Sequence, residues 1–206
     1  MLELFGGFII SVIQTTGYVG IFFLMTLESA LIPIPSEITM PFSGFLVAQG
    51  KFNFLLVVLA GAVGNVVGSV LAYWLGFWGQ EAVVRKLIRR FGRYILVTEE
   101  EYDKAENWFR KYGDPISFLS RLLPAVRTFI SLPLGVAKVN LGRFILYTFT
   151  GSLLWSALLT YIGVVMGGNW ITLEHYFRRF EIFIALLGVL IVAFYVNHKL
   201  KFIKIF

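Results

Sequence analysis

The sequence predicts an all-α polytopic membrane protein. It is read as an inverted repeat with two opposed re-entrant helical hairpins, transmembrane helices and an amphipathic cytoplasmic segment. Three observations lead there. Of 206 residues, 58% are hydrophobic and 15% charged, and the mean hydropathy is +0.79, outside the usual soluble mix. Two long apolar stretches are broken by prolines and carry ionised side chains, acidic in one and basic in the other. The order of features in the first half of the chain also recurs in the second.

The chain reads as one membrane domain, 1–206, with a first repeat at about 15–79 and a cytoplasmic amphipathic segment at about 80–111. A second repeat follows at about 112–168, then a C-terminal transmembrane helix at about 182–197. Leu4 to Leu27 is long enough to cross roughly 30 Å of hydrocarbon, although Gln14, Thr15, Thr16 and Gly17 weaken its middle. No Lys or Arg precedes this apolar run, so a first helix is expected rather than a cleaved signal peptide. Glu28 to Gln49 contains Pro33, Pro35 and Pro41, which suggests a helical hairpin that dips into the bilayer and returns. Phe52 to Trp78 is a span ending in the interfacial cluster Tyr73, Trp74 and Trp78.

Between Gln80 and Lys111 the chain turns water-facing. Residues 81–93 read as a basic amphipathic helix on anionic headgroups, with Val84, Leu87, Ile88 and Phe91 towards lipid. Thr98 followed by Glu101 fits a capping box that opens the next helix. The chain re-enters from Pro115 to Leu134, broken at Pro124 and Pro133, and crosses from Leu141 to Met166 and again from Ile182 to Val196. Placing 80–111 and the Lys-rich tail inside the cell satisfies the positive-inside rule, against which Arg178 and Arg179 weigh modestly. Both termini are then expected in the cytoplasm, the N-terminus provided that the first helix spans.

A charged side chain in hydrocarbon costs several kcal/mol and persists where it faces protein or water. Broken helix in a membrane has the same restriction, because lipid offers its freed backbone groups no partners. Glu28, Glu37, Arg121 and Arg127 are therefore expected to line one polar cavity near the midplane, where discontinuous helices of an inverted repeat meet. The repeat itself is legible in short strings. The first half has P-F-S-G at Pro41–Gly44, then Asn53 before a span ending Y-W-L-G; the second has P-L-G at Pro133–Gly135, then Asn140 before a span ending Y-I-G.

Gly61, Gly64 and Gly68 share one helix face and are read as a close-packing surface. Asn65 beside them either bonds across the bundle or lines the cavity. The absence of cysteine excludes disulfides, thiolate catalysis and Cys-based metal sites. His175 and His198 are far apart and are read as ordinary interfacial residues. No metal or cofactor is expected.

At these residues the chain resembles the DedA family of membrane proteins, whose domain also occurs in a class of eukaryotic lipid scramblases. The matching features are Glu28 with the following P-x-P-S-E, G-N-V-V-G-S-V-L-A-Y-W-L-G, S-R-L-L-P-A-V-R-T-F, and G-S-L-L-W, within about residues 15–170. The resemblance implies two re-entrant helices meeting inside the bilayer. It also implies movement of an anionic lipid, undecaprenyl phosphate or a related polyprenyl phosphate and also phospholipids, between leaflets of the cell membrane. The family's essential acidic pair maps onto Glu28 and Glu37, and its essential arginine pair onto Arg121 and Arg127. Many members carry an aspartate preceded by glycine where Ser36 and Glu37 stand here.

The chemistry of the four residues agrees with a phosphate headgroup. Guanidinium pairs with phosphate oxygens through two parallel hydrogen bonds and keeps its charge when buried. The glutamates would hold the arginines while the site is empty, or take up a proton and couple transport to it. Partners are thus an anionic lipid substrate and membrane phospholipids, with a homo-oligomer allowed and no nucleic acid. Two alternatives use the same residues: a proton-coupled small-ion or drug transporter, and a structural membrane protein with a fixed ionic network. An enzyme is not expected, because the chain lacks an intramembrane histidine, the G-x-S-x-G and H-E-x-x-H motifs, and a clustered aspartate site.

Overall fold

A computed structural model of the chain describes residues 2–32, 34–95, 99–123 and 126–167. Pro33, Thr98, Pro124, His175, Arg178, Arg179, His198 and the expected helix at 182–197 lie outside the described residues. Those described are helical throughout apart from turns, in the order α1 (Leu2–Thr16), α2 (Tyr18–Ser29), α3 (Ser36–Ala48), α4 (Phe54–Ile95), α5 (Glu99–Leu119), a 3-10 turn (Ser120–Leu122), α6 (Val126–Phe129), α7 (Ser131–Val136) and α8 (Leu141–Met166). Among the described residues two segments, Phe54–Gly79 and Leu141–Met166, are long and apolar enough to cross a membrane. Phe23, Leu71, Trp78, Leu146 and Val165 are exposed along the outside, the surface that lipid covers.

The expected first span from Leu4 to Leu27 is two helices instead. Gly17 separates them at φ 63°, ψ −134°, a conformation open to glycine and strained for other residues. Just before it, the Thr15 and Thr16 hydroxyls donate to the carbonyls of Ser11 and Val12, side-chain bonds that bend helices. At 1.5 Å per residue α1 is about 22 Å long and α2 about 18 Å, so neither crosses roughly 30 Å alone. Instead α1 packs back on α2 and α3, burying Ile9 and Ile13.

Helix α4 brings a second correction. Its 42 residues, about 63 Å, continue through the region read as a separate helix at 81–93. No proline directly follows Trp78, and Gly79 does not take the left-handed conformation that caps a helix; inside one it costs only about 1 kcal/mol. Prolines also break the chain less than expected. Pro35 does stand at a break, as the residue before α3, but Pro41 lies inside α3 and Pro133 in the first turn of α7. A first-turn proline gives up no intrahelical bond, because its N–H would have had no partner there.

The two long spans begin in the same way. α3 ends with Gly50 at φ 72° and the Lys51 N–H bonded to the Leu46 carbonyl at 3.0 Å; α7 ends with Lys138 at φ 55° and the Val139 N–H bonded to the Leu134 carbonyl at 3.2 Å. Both endings are Schellman caps. Each leads to an asparagine that opens the next helix. Asn53 accepts from the Leu56 N–H at 3.2 Å, and Asn140 from the Arg143 N–H at 3.0 Å.

Packing crosses between the halves. A methyl group on Gly44 of α3 would lie 2.1 Å from the Thr160 carbonyl oxygen of α8, and one on Gly163 would lie 2.1 Å from the Pro41 carbonyl oxygen. The other short helix meets the other long one likewise: a methyl group on Gly135 of α7 would lie 2.0 Å from the Tyr73 carbonyl oxygen, and one on Gly76 of α4 would lie 2.2 Å from that of Leu132. In both pairs each glycine lies against the carbonyl three residues before its counterpart. Gly64 and Gly68 admit the α2 backbone at Phe22 and Thr26, while Gly61 faces the side chains of Met40 and Ser156. Apolar burial follows the same division, one cluster around Ile13, Met25, Met40 and Leu159 and another around Tyr73, Leu134 and Phe144.

Candidate functional site: a buried arginine–glutamate centre

The acidic residues flank the turn between α2 and α3. Glu28 is in the last turn of α2 and Glu37 in the first turn of α3. Helix α2 closes with Leu31 at φ 74° and the Ile32 N–H bonded to the Leu27 carbonyl at 3.1 Å, which turns the chain back. Glu28 Oε1 accepts the Ser36 N–H at 3.2 Å, so its carboxylate sits at the N-terminus of α3, where free N–H groups and the helix dipole favour negative charge. The basic residues flank the second break. Arg121 is in the 3-10 turn and Arg127 in α6.

All four are buried, at 5% exposure for Glu28, 6% for Glu37, 2% for Arg121 and 5% for Arg127. They do not form a symmetric quartet. Arg127 Nη2 donates to Glu28 Oε1 and Ser36 Oγ and lies 3.9 Å from Glu37 Oε1. Its guanidinium also stands 5.4 Å from the centroid of the Trp155 ring. Arg121 has no carboxylate partner among the described residues. Its Nη1 donates to Ser69 Oγ and the Arg127 carbonyl, each at 2.9 Å, and its Nη2 to Ser131 Oγ at 2.8 Å. Thus the expectation that the glutamates hold both arginines applies to Arg127 alone. Arg121 ties α4 to the two sides of the second break and fixes the backbone of Arg127.

Helix α8 supports both guanidinium groups. Phe144 lies 5.7 Å from that of Arg121, and a methyl group on Gly151 would meet Arg121 Cβ at 2.8 Å, so glycine lets this arginine lie on the helix. Asn65 bonds across the bundle, accepting from Ser29 Oγ at 2.6 Å. Sequence reasoning did not single out Ser69, Ser131, Phe144 or Trp155 as partners. Hydroxyl and aromatic residues in apolar runs give no local sign of what they touch; the only signal was that Trp155 closes the G-S-L-L-W string. No group of His, Cys, Asp or Glu among the described residues could hold a metal ion.

The asymmetry has a measurable consequence. Glu28→Gln removes the nearest counter-charge of a buried guanidinium and is expected to lower stability by roughly 3–5 kcal/mol. Glu37→Gln leaves the Arg127–Glu28 bond in place and should cost clearly less. Unfolding of both variants in one detergent checks this; equal losses would show that the two carboxylates share Arg127 evenly.

Helices able to span a bilayer, enclosing buried charge at two chain breaks, define a polytopic membrane protein with a polar centre. The VTT domain family model matches residues 34–165, which contain Glu37, both arginines and all but the last residue of the two long spans, and the chain belongs to this family of DedA-type membrane proteins. It is 32% identical over 187 residues to the undecaprenyl phosphate transporter A of Bacillus subtilis, covering 91% of this chain and 90% of that protein. Over 161 residues it is 38% identical to the uncharacterized membrane protein YkoX of the same organism, covering 78% and 69%. An alkaline phosphatase-like protein of Lactococcus lactis is 32% identical over 186 residues, covering 89% and 87%. No solved structure matches the chain.

Proposed function

We propose that this protein carries an anionic lipid, undecaprenyl phosphate or a related polyprenyl phosphate, between the leaflets of the cell membrane. The observation that carries the reading is the buried pair of arginines in unlike states. Arg127 is held by a carboxylate that a phosphate can replace, and Arg121 is held by hydroxyl and carbonyl oxygens, with no carboxylate in contact among the described residues. Phosphate oxygens would take the place of Glu28 on Arg127 and bring negative charge near Arg121. The name of the Bacillus subtilis transporter agrees with this cargo.

The reading includes an inverted repeat, with Glu28–Gln49 and Pro115–Leu134 as the re-entrant segments. The matched caps before α4 and α8 and the reciprocal glycine contacts support it. The membrane orientation rests on Lys and Arg content and puts 80–111 and the C-terminal tail in the cytoplasm. Single cysteines introduced at 100 and 204 should therefore resist an impermeant reagent outside intact cells, while one at 172 reacts. Labelling at 100 or at 204 as ready as at 172 would overturn the orientation.

The deciding experiment is movement of labelled polyprenyl phosphate and of ordinary phospholipid across vesicles containing the purified protein. Polyprenyl phosphate should equilibrate faster than in empty vesicles, and a rate equal to theirs would refute the proposal. Inorganic phosphate release is followed in the same vesicles, because two relatives carry a phosphatase-like name. Release in step with disappearance of the lipid would favour hydrolysis over transport.

A further inference from the structure

Trp155 lies on the face of α8 that meets both arginines, one turn beyond Gly151 and its contact with Arg121. It is 7% exposed, and its ring centroid is 5.4 Å from the Arg127 guanidinium carbon. Its indole Nε1 is buried with no hydrogen-bond acceptor, a state that a buried N–H group rarely keeps. Arg121 Nε and Asn65 Nδ2 are in the same condition, whereas Glu28 Oε2 is an acceptor with no donor. Of these, the indole N–H of Trp155 stands beside the Arg127 guanidinium, and a buried donor without an acceptor there suits a ligand rich in acceptor oxygens.

We propose that Trp155 is part of the headgroup site: its ring carries the Arg127 guanidinium when Glu28 lets go, and its indole N–H donates to the phosphate that replaces Glu28. This rests on the lipid-phosphate reading above. The ring face attracts the cation without using any of its N–H groups, so Arg127 can change acceptors while staying in place. Glu28 holds Arg127 through Oε1, the atom that also accepts from the start of α3, and an arriving anion competes for the guanidinium directly.

The test separates ring from N–H. Trp155→Phe keeps an aromatic face and removes the donor; Trp155→Leu removes both. In vesicles, W155F should raise the apparent KM for polyprenyl phosphate roughly tenfold, the loss expected for one hydrogen bond to a charged group, with the maximal rate within about twofold of wild type. W155L should lower the rate as well. A second measurement uses the wild-type protein with 15N-labelled tryptophan. Farnesyl phosphate should shift the Trp155 indole N–H resonance, while farnesol and inorganic phosphate at the same concentration leave it in place. That resonance is identified by its absence in W155F or, should W155F not fold, by replacing the other four tryptophans.

Wild-type transport with an unchanged KM in W155F and an unmoved indole resonance would overturn the role of Trp155 and leave the lipid-phosphate reading standing. A wild-type protein that neither moves polyprenyl phosphate nor responds to farnesyl phosphate would sink both. A shift with inorganic phosphate equal to that with farnesyl phosphate would keep the donor and remove the lipid as its source.

Discussion

Arg127→Lys is expected to slow polyprenyl phosphate transport by about a hundredfold while the protein still folds, the effect of losing one or two charge-assisted hydrogen bonds at the moving group. Lysine keeps a positive charge opposite Glu28, so the buried carboxylates retain a partner. It cannot span two phosphate oxygens at once, and it lacks the planar face that lies over Trp155. Transport in vesicles and melting in detergent, measured on one preparation, separate the two effects. An unchanged rate would remove Arg127 from the phosphate site. Arg121→Lys should act differently, because Arg121 bridges Ser69, the Arg127 carbonyl and Ser131. It should lose stability along with transport.

Gly163→Val is expected to prevent folding or to destabilise the protein by at least about 3 kcal/mol, the upper part of the usual overpacking range. The added Cβ would lie 2.1 Å from the Pro41 carbonyl oxygen and 2.7 Å from its carbonyl carbon and Cα, all backbone atoms that cannot rotate away. The same movement would break the reciprocal contact of Gly44 with Thr160, so α3 and α8 would have to separate along their whole crossing. Gly79→Ala is the control, since nothing lies within 4 Å of its added methyl group. It should be neutral or slightly stabilising, as an alanine in a helix. Yield of folded protein and melting temperature for both variants check this; a well-folded G163V protein would show that α3 does not pack on α8 this closely.

Local features of the chain carried a good deal of this arrangement. The span from Leu141 to Met166 was legible to the residue, because Asn140 caps a helix through its own side chain and Gly167 at φ 51° ends it. The end of the first helix was misread. Apolar residues continue through Gly17, and hydropathy does not register a backbone turn. Pro41 does not break its helix, since one proline removes one bond while the packing of α3 on α8 keeps the helix whole. The same applies to α4, which runs past the change from apolar to charged residues because side-chain polarity does not end a backbone hydrogen-bond ladder.

By itself, then, the sequence determined that the protein belongs in a membrane, where two of its long helices start, and which four charged residues stand in apolar surroundings. Each of these depends on a residue and its near neighbours in the chain. Only the tertiary structure decided that Arg127 takes the carboxylates while Arg121 takes Ser69, Ser131 and a carbonyl, and that Trp155 lies under the former guanidinium. The physical reason is distance along the chain. Arg127 and Glu28 are 99 residues apart, and what brings them together is the glycine-mediated approach of each short helix to the long helix of the other half.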